Sequence, residues 1–187
     1  MKVLFLDVET GGLDPKSHSL LEAAFVTLND AGETTNLRVL FPRESYRVDP
    51  HCAIMHTENR LWHELEEFKN CPDLFRPYDG LVISKPYSGT LENVLREFLG
   101  DPRSYFVCGK NAAGFDIPFL QEQGELDRSF FRHRVIDVGT LYLRPDDEKV
   151  PDFQECLRRA SLPEQTNHRA MGDCLSTLEL YKHWTHQ

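Results

Sequence analysis

Long apolar runs are missing from this sequence. Its longest, such as Val3–Leu6 and Ala23–Val26, fall far short of the roughly 18 residues that a membrane-spanning helix needs. The first residues carry neither the apolar core nor the cleavage site of a secretory signal, so a soluble, cytoplasmic protein is expected. Paired cysteines are missing as well. Cys52, Cys71, Cys108, Cys156 and Cys174 are odd in number and contain no CxxC, which argues against a disulfide framework or a zinc knuckle and leaves reduced, mostly buried thiols. Positive charge is scarce, with 21 Lys and Arg against 30 Asp and Glu, a formal net charge of −9. Affinity for long nucleic acid comes from Lys and Arg displacing counterions. A chain this acidic does not grip such a polymer by charge alone, and a polyanionic substrate would need local neutralisation by something else. No internal repeat and no Gly/Ser linker divides the 187 residues, 40% of them hydrophobic, so one domain over 1–187 is expected.

What is present alternates between strand and helix patterns. Met1–Glu9 is apolar on both faces, the mark of a central strand, and ends at the turn Thr10-Gly-Gly12. Leu20–Asn29 and Thr34–Phe41, joined by Asp30-Ala-Gly32, read as a hairpin. The chain therefore opens with antiparallel strands. Residues 42–86 give short helical stretches such as Leu61–Phe68 and no sharp role. Leu91, Val94, Leu95, Phe98 and Leu99 follow helical spacing up to Gly100. Beyond it, Ser104–Cys108 and Arg134–Ile136 predict strands, and Ile117–Gln123 and Phe153–Ala160 predict helices. A final helix over about Arg169–Trp184 would turn Met171, Leu175, Leu178 and Tyr181 toward the core. The sum is an α/β domain with a mixed central sheet of about five strands.

Three groups of polar residues stand out against this pattern. Asp7 and Glu9 are two apart on the first strand, so both side chains share the face of Val3 and Phe5. Two carboxylates at the end of a buried strand repel one another and lose hydration, costs that hard divalent cations remove; alternatively the strand simply emerges into solvent there. Asp116 follows Gly109-Lys-Asn-Ala-Ala-Gly-Phe115 between a strand and a helix, where α/β folds place functional groups. It could equally cap the helix. His168 and Asp173 lie at the start of the last helix, five residues apart and so about 140° from one face. Asp173 is expected on the side away from much of the apolar stripe, beside the small Ala170 and Thr177.

The three groups occur together and in order, as Phe5-Leu-Asp-Val-Glu-Thr-Gly-Gly-Leu-Asp14, Asn111-x-x-Gly-Phe-Asp116 and His168-Arg-Ala-x-x-Asp173. In this they resemble the three motifs of the DEDDh family, the DnaQ-like 3′–5′ exonucleases, with histidine rather than tyrosine in the third. The resemblance implies an RNase H-like fold with helices on both faces of the sheet. It implies hydrolysis of the terminal phosphodiester of single-stranded DNA, RNA or short oligonucleotides, releasing nucleoside 5′-monophosphates. Asp7, Glu9, Asp116 and Asp173 would hold two Mg²⁺ or Mn²⁺ ions, and His168 would be the general base. Leu13 and Phe115 would pack on or beside the terminal bases, unless both are plain core residues, with Thr10, Gly11 and Asn111 as further substrate contacts. Gly11-Gly12 departs from the Thr-Gly of many family members and should loosen that turn. Val48–His56 is only faintly similar to a substrate-contacting helix, so contacts from Met55 or His56 are not expected. Two other readings keep the fold: a proofreading subunit with a polymerase partner, and a non-catalytic nucleic-acid-binding module.

Overall fold

The computed structural model describes residues 1–71, 81–84, 91–124, 126–164 and 168–186. Strand β1 (Val3–Thr10) pairs antiparallel with β2 (Leu20–Leu28), and β2 with β3 (Thr34–Leu40). The hairpin between β2 and β3 closes through Asn29, whose side-chain oxygen accepts from the backbone N–H groups of Ala31 and Glu33, and through Gly32 at φ +83°. Helices α1 (Pro50–Glu58) and α2 (Leu61–Asn70) follow, then β4 (Leu81–Ser84), parallel to β3. After α3 (Leu91–Leu99) and a short 3₁₀ turn at Pro102–Ser104 comes β5 (Phe106–Gly109), which lies parallel to β1. Helix α4 (Asp116–Glu122) leads to β6 (Val135–Asp137), parallel to β5. The chain ends with α5 (Val138–Leu141), α6 (Phe153–Arg159) and α7 (Ala170–Thr185).

The strand order is β4-β3-β2-β1-β5-β6. Six strands replace the expected five or so, and the additional one, β4, falls in the stretch whose sequence pattern was least distinct. The hydrophobic alternation of β1 places its two faces in two cores. Leu4, Leu6 and Val8 pack with Leu91, Leu95 and Leu99 of α3 and with Phe119 and Leu120 of α4. Val3 and Phe5 pack with Ala170, Cys174, Leu178 and Tyr181 of α7, the Phe5 and Tyr181 rings meeting edge to face at 5.5 Å.

Two sequence-based placements change here. The core stripe of α7 is Ala170, Cys174, Leu178 and Tyr181 rather than one centred on Leu175, which is 39% exposed; Met171 only borders the core. The small residues Ala170 and Cys174 let the helix lie close over β1 and β2, a fit that a scan for large apolar residues misses. Asp173 consequently adjoins the stripe and faces the end of β1 instead of lying on the far side. Asp116 is the other change. Phe115 holds the N-cap position of α4 and Asp116 is already inside the helix, so the carboxylate is not a cap. Among the described residues, no helix is long and apolar enough to cross a membrane, and all five cysteines are free, with Cys108, Cys156 and Cys174 buried.

Candidate active site

Asp7 and Glu9 project from the last part of β1 toward the first turn of α7, where Asp173 descends. One carboxylate oxygen from each of the three lies within 4.8 Å of the others. Asp116 joins them from the opposite side of the strand. β5 pairs with β1 only as far as Phe5↔Cys108, so beyond that point the edge of β1 is open. The Asp116 Oδ1 fills the gap by accepting from the Val8 N–H at 2.9 Å. This buried hydrogen bond, from the residue between the two strand carboxylates, fixes the orientation of Asp116, which is 3% exposed.

The cluster is electrostatically unfavourable by itself. Burial raises the Asp7 carboxyl well above its ordinary range, and the charges of Asp116, Asp173, Glu9 and Glu22 raise it further. Glu9 is pushed up to about 9, first by burial, then by Glu22 and Asp173, against the opposing charge of Arg169. Asp116 is pushed up to about 7 by burial and Asp173, with the Val8 N–H pulling the other way. Converging carboxylates that are costly to ionise, all offering oxygen, are the donor set that hard divalent cations satisfy. The residues fit such ions.

Glu22 is the cross-strand partner of Glu9, and its burial is complete. Its charge is matched by Arg38 of β3 and by Arg169, whose Nε donates to Glu22 Oε2 at 3.0 Å. Both arginines also pair with Glu64 of α2. Two glutamates and two arginines thus form a neutral, largely buried tetrad directly behind the site. The sequence analysis passed over it, although a glutamate within the otherwise apolar Leu20–Val26 run was the available signal.

His168 precedes this anchor. It adopts φ +41°, in the left-handed region, and its carbonyl accepts from Asn59 Nδ2 at 2.6 Å. Its side chain lines a cavity of about 360 Å³ together with Asp7, Asp173, Lys110, Asp152, Phe153 and Gln154. The structure therefore gathers all five residues expected at the chemistry. Lys110, Phe153 and Gln154 are additional walls that motif reading missed; Lys110 stands next to a motif asparagine, and the other two open a helix that showed no motif.

The expected substrate contacts divide. Leu13 is 80% exposed, which removes the core-packing alternative for it. Phe115 is half-buried against the core, its ring tilted by 53° to that of Phe119 with centroids 5.1 Å apart. Asn111 takes φ +56° and accepts at its carbonyl from the N–H groups of Gly114 and Phe115, shaping the loop that delivers Asp116. Thr10 is buried; its hydroxyl donates to the Gly12 carbonyl, and its own carbonyl receives His56 Nε2 at 2.9 Å. His56 is fully buried behind the turn, 3.9 Å from a Glu9 oxygen, a support role that sequence reading did not assign. The turn itself is not loosened. The Gly11 N–H donates to Ser19, the Gly11 carbonyl accepts from Asp49, and a β-carbon at Gly11 or Gly12 would come within 2.3 Å of the Arg47 carbonyl oxygen or 2.4 Å of the His18 ring. Glycine is present there for close approach rather than for freedom.

Comparison with known proteins agrees with this geometry. The chain is 26% identical over 144 residues to an oligoribonuclease of Aliivibrio fischeri, covering 74% of this chain and 72% of that protein. An oligoribonuclease of Vibrio campbellii is 28% identical over the same length. Three quarters of the chain is thus similar in sequence to oligoribonucleases. No family model matches it. Among solved structures, E. coli exonuclease I in complex with a dA16 oligonucleotide superposes with a TM-score of 0.60 at 16% identity over 100% of this chain. The zinc-bound form of the exonuclease I–single-stranded DNA complex gives 0.58 at 19% identity over 97%. The chain spans 41% of the first and 39% of the second, so what these larger proteins share with it is the fold.

Proposed function

We infer that this chain is a metal-dependent 3′–5′ exonuclease that removes nucleoside 5′-monophosphates from short single-stranded oligonucleotides. The observation that carries the reading is the convergence of Asp7, Glu9 and Asp173 within 4.8 Å, with Asp116 oriented by the Val8 N–H and His168 lining the same open cavity. Two Mg²⁺ or Mn²⁺ ions held by the four carboxylates would supply activation of water and stabilisation of the departing 3′ oxygen. With two divalent ions held there, the four carboxylates would be neutralised locally, so the site would admit a phosphodiester that a chain of net charge −9 otherwise repels. An imidazole nitrogen of His168 takes the proton of the attacking water. The exposed Leu13, next after the turn that ends β1, and Phe115 beside Asp116 offer apolar surfaces to the terminal bases, a contact that tolerates any sequence. The preference for short strands rests on the few cations at the site, where among the described residues Lys110 is the lysine or arginine that lines the cavity, and on the oligoribonuclease names of the relatives.

The test is hydrolysis of 5′-labelled single-stranded DNA and RNA of matched sequence in Mg²⁺, Mn²⁺ or EDTA, with Asp7→Ala as control. A 3′ ladder that needs the metal and vanishes in the variant establishes the activity, and the faster polymer identifies the sugar. Absence of a ladder on both polymers rejects the reading.

A further inference from the structure

The opposite end of the sheet carries the reverse charge. Where β5 and β6 begin, a cavity of about 490 Å³ is lined by Arg103, Phe106, Arg132, His133, Arg134 and Asp101. Arg103, Arg132, His133 and Arg134 are exposed. Seven other cations, Arg38, Lys69, Arg96, Arg158, Arg159, Arg169 and Lys182, meet carboxylates. Among the described residues no carboxylate pairs with Arg103, Arg132 or Arg134. Asp101 offsets one of the three guanidinium charges at most; its Oδ1 accepts from the Arg103 backbone N–H as the cap of the 3₁₀ turn, and it makes no ion pair with them.

The group is also partly preorganised. The Arg132 guanidinium lies over the Phe106 ring at 4.9 Å, and its Nε donates to the Arg103 carbonyl, which fixes the plane and leaves its terminal nitrogens facing outward. Lys2 adjoins the patch, its carbonyl accepting from the Phe106 N–H at 3.0 Å. In a chain of net charge −9, unpaired guanidinium groups gathered round an aromatic ring form a site for a phosphate-bearing ligand, which guanidinium forks bind through two oxygens at once.

We propose that this patch is a second nucleic-acid contact, which takes backbone phosphates of a single strand remote from the carboxylate site. Phe106 is the partner of Val3, and Asp7 is four residues further along β1, so the offset along the strand is about 13 Å at about 3.3 Å per residue. A dinucleotide at the carboxylates does not reach it; a longer strand does. The contact therefore adds affinity with length and leaves turnover of the shortest substrates alone. It deepens the exonuclease reading and rests on it for the identity of the strand, whereas the binding measurement stands independently of hydrolysis.

The experiment is a length series of 5′-labelled single strands from 2 to 20 nucleotides, each with a non-hydrolysable 3′-terminal linkage, bound in the presence of Mn²⁺ and followed by anisotropy over a salt titration. Wild type is compared with Arg103→Glu, Arg134→Glu and the double variant; these side chains are exposed, and thermal melts verify folding. Wild type should show a step in affinity at intermediate length. In the double variant the step should disappear, affinity for the 20-mer should fall at least about tenfold, and the salt slope should drop by about 1.4, or about 0.7 for each of two lost phosphate contacts. Dinucleotide hydrolysis should stay within twofold of wild type. Failure of hydrolysis in wild type together with a step that the variants abolish would reject the exonuclease reading and keep the contact. An affinity and slope that the variants leave unchanged would overturn it. So would a 5′-mononucleotide binding event lost in the variants while the length step persists, since the patch would then take a free phosphate. Equal displacement of the strand by an acidic peptide of matched charge would overturn it in favour of a protein partner.

Discussion

Asp7 bears the sharpest conflict between stability and chemistry in the molecule. Its carboxylate is desolvated and stands among the charges of Asp116, Asp173, Glu9 and Glu22, so removing that charge should relieve repulsion even as it removes a proposed metal ligand. Asp7→Asn is expected to melt several degrees higher than wild type in EDTA, since about 1 kcal/mol corresponds to about 2–4 °C in a domain of this size. The same variant should lose the rise in melting temperature that Mn²⁺ gives wild type, and with it hydrolysis. Calorimetric melts with and without Mn²⁺ check both halves. A variant less stable than wild type in EDTA would show that Asp7 is satisfied within the protein and not by a cation. His168 behaves differently, because it lines the cavity without belonging to the carboxylate cluster. His168→Ala should keep the Mn²⁺-dependent rise in melting temperature and lose about 10²–10⁴-fold in kcat, the usual contribution of a general base. Equal rates in the two proteins would assign proton removal to another group.

At the scale of elements, the site depends on segments far apart in sequence meeting at one end of β1. Asn59, at the end of α1, holds the His168 carbonyl and also accepts from the Leu61 N–H that starts α2, while Arg169 ties the start of α7 to Glu22 on β2 and Glu64 on α2. The guanidinium forks carry geometry as well as charge. Arg169→Gln should therefore lower kcat and stability together, and Arg169→Lys should recover more of the stability than of kcat. Initial-rate kinetics alongside thermal melts separate the two; parallel recovery of both by lysine would reduce Arg169 to a counter-charge for Glu22. This network marks the boundary of what a sequence discloses. Asp7 and Glu9 were legible because strand alternation puts i and i+2 on one face, and β1, the β2–β3 hairpin, α3 and α6 were legible from periodicity and turn residues. The orientation of Asp116 was not, because it depends on where β5 parts from β1. Nor was the core stripe of α7, because Ala170 and Cys174 contribute by being small. The walls Phe153 and Gln154 come from a helix with no motif, which the packing of α6 beside α7 brings to the carboxylates, and Lys110 comes just after the end of β5.

For the whole molecule, the charge distribution sets how stability varies with pH. Asp147 and Glu155 are held at about 2 by hydrogen bonds to Arg159 and Arg158, so their contribution is present above the ordinary carboxyl range near 4 and is lost as the pH falls toward 2. The carboxylate cluster has the opposite sign. With Asp116 at about 7 and Glu9 at about 9, the folded chain retains protons that the unfolded chain has already released above about pH 4.3. Stability of the metal-free protein should accordingly decline from about pH 5 to about pH 9 and level off beyond. His56, held below its usual value by burial, opposes this only below about pH 6.5, one group against Asp7, Glu9 and Asp116 together. Divalent cations compete with the same protons. Added Mg²⁺ should stabilise the protein little at pH 5 and progressively more toward pH 9, flattening the decline. Thermal melts in EDTA and in Mg²⁺ at intervals across that range test the account: curves that stay parallel, or a metal-free protein that gains stability between pH 5 and 9, would mean that the carboxylates are ionised and neutralised by the protein itself, leaving no electrostatic demand for ions at the end of β1.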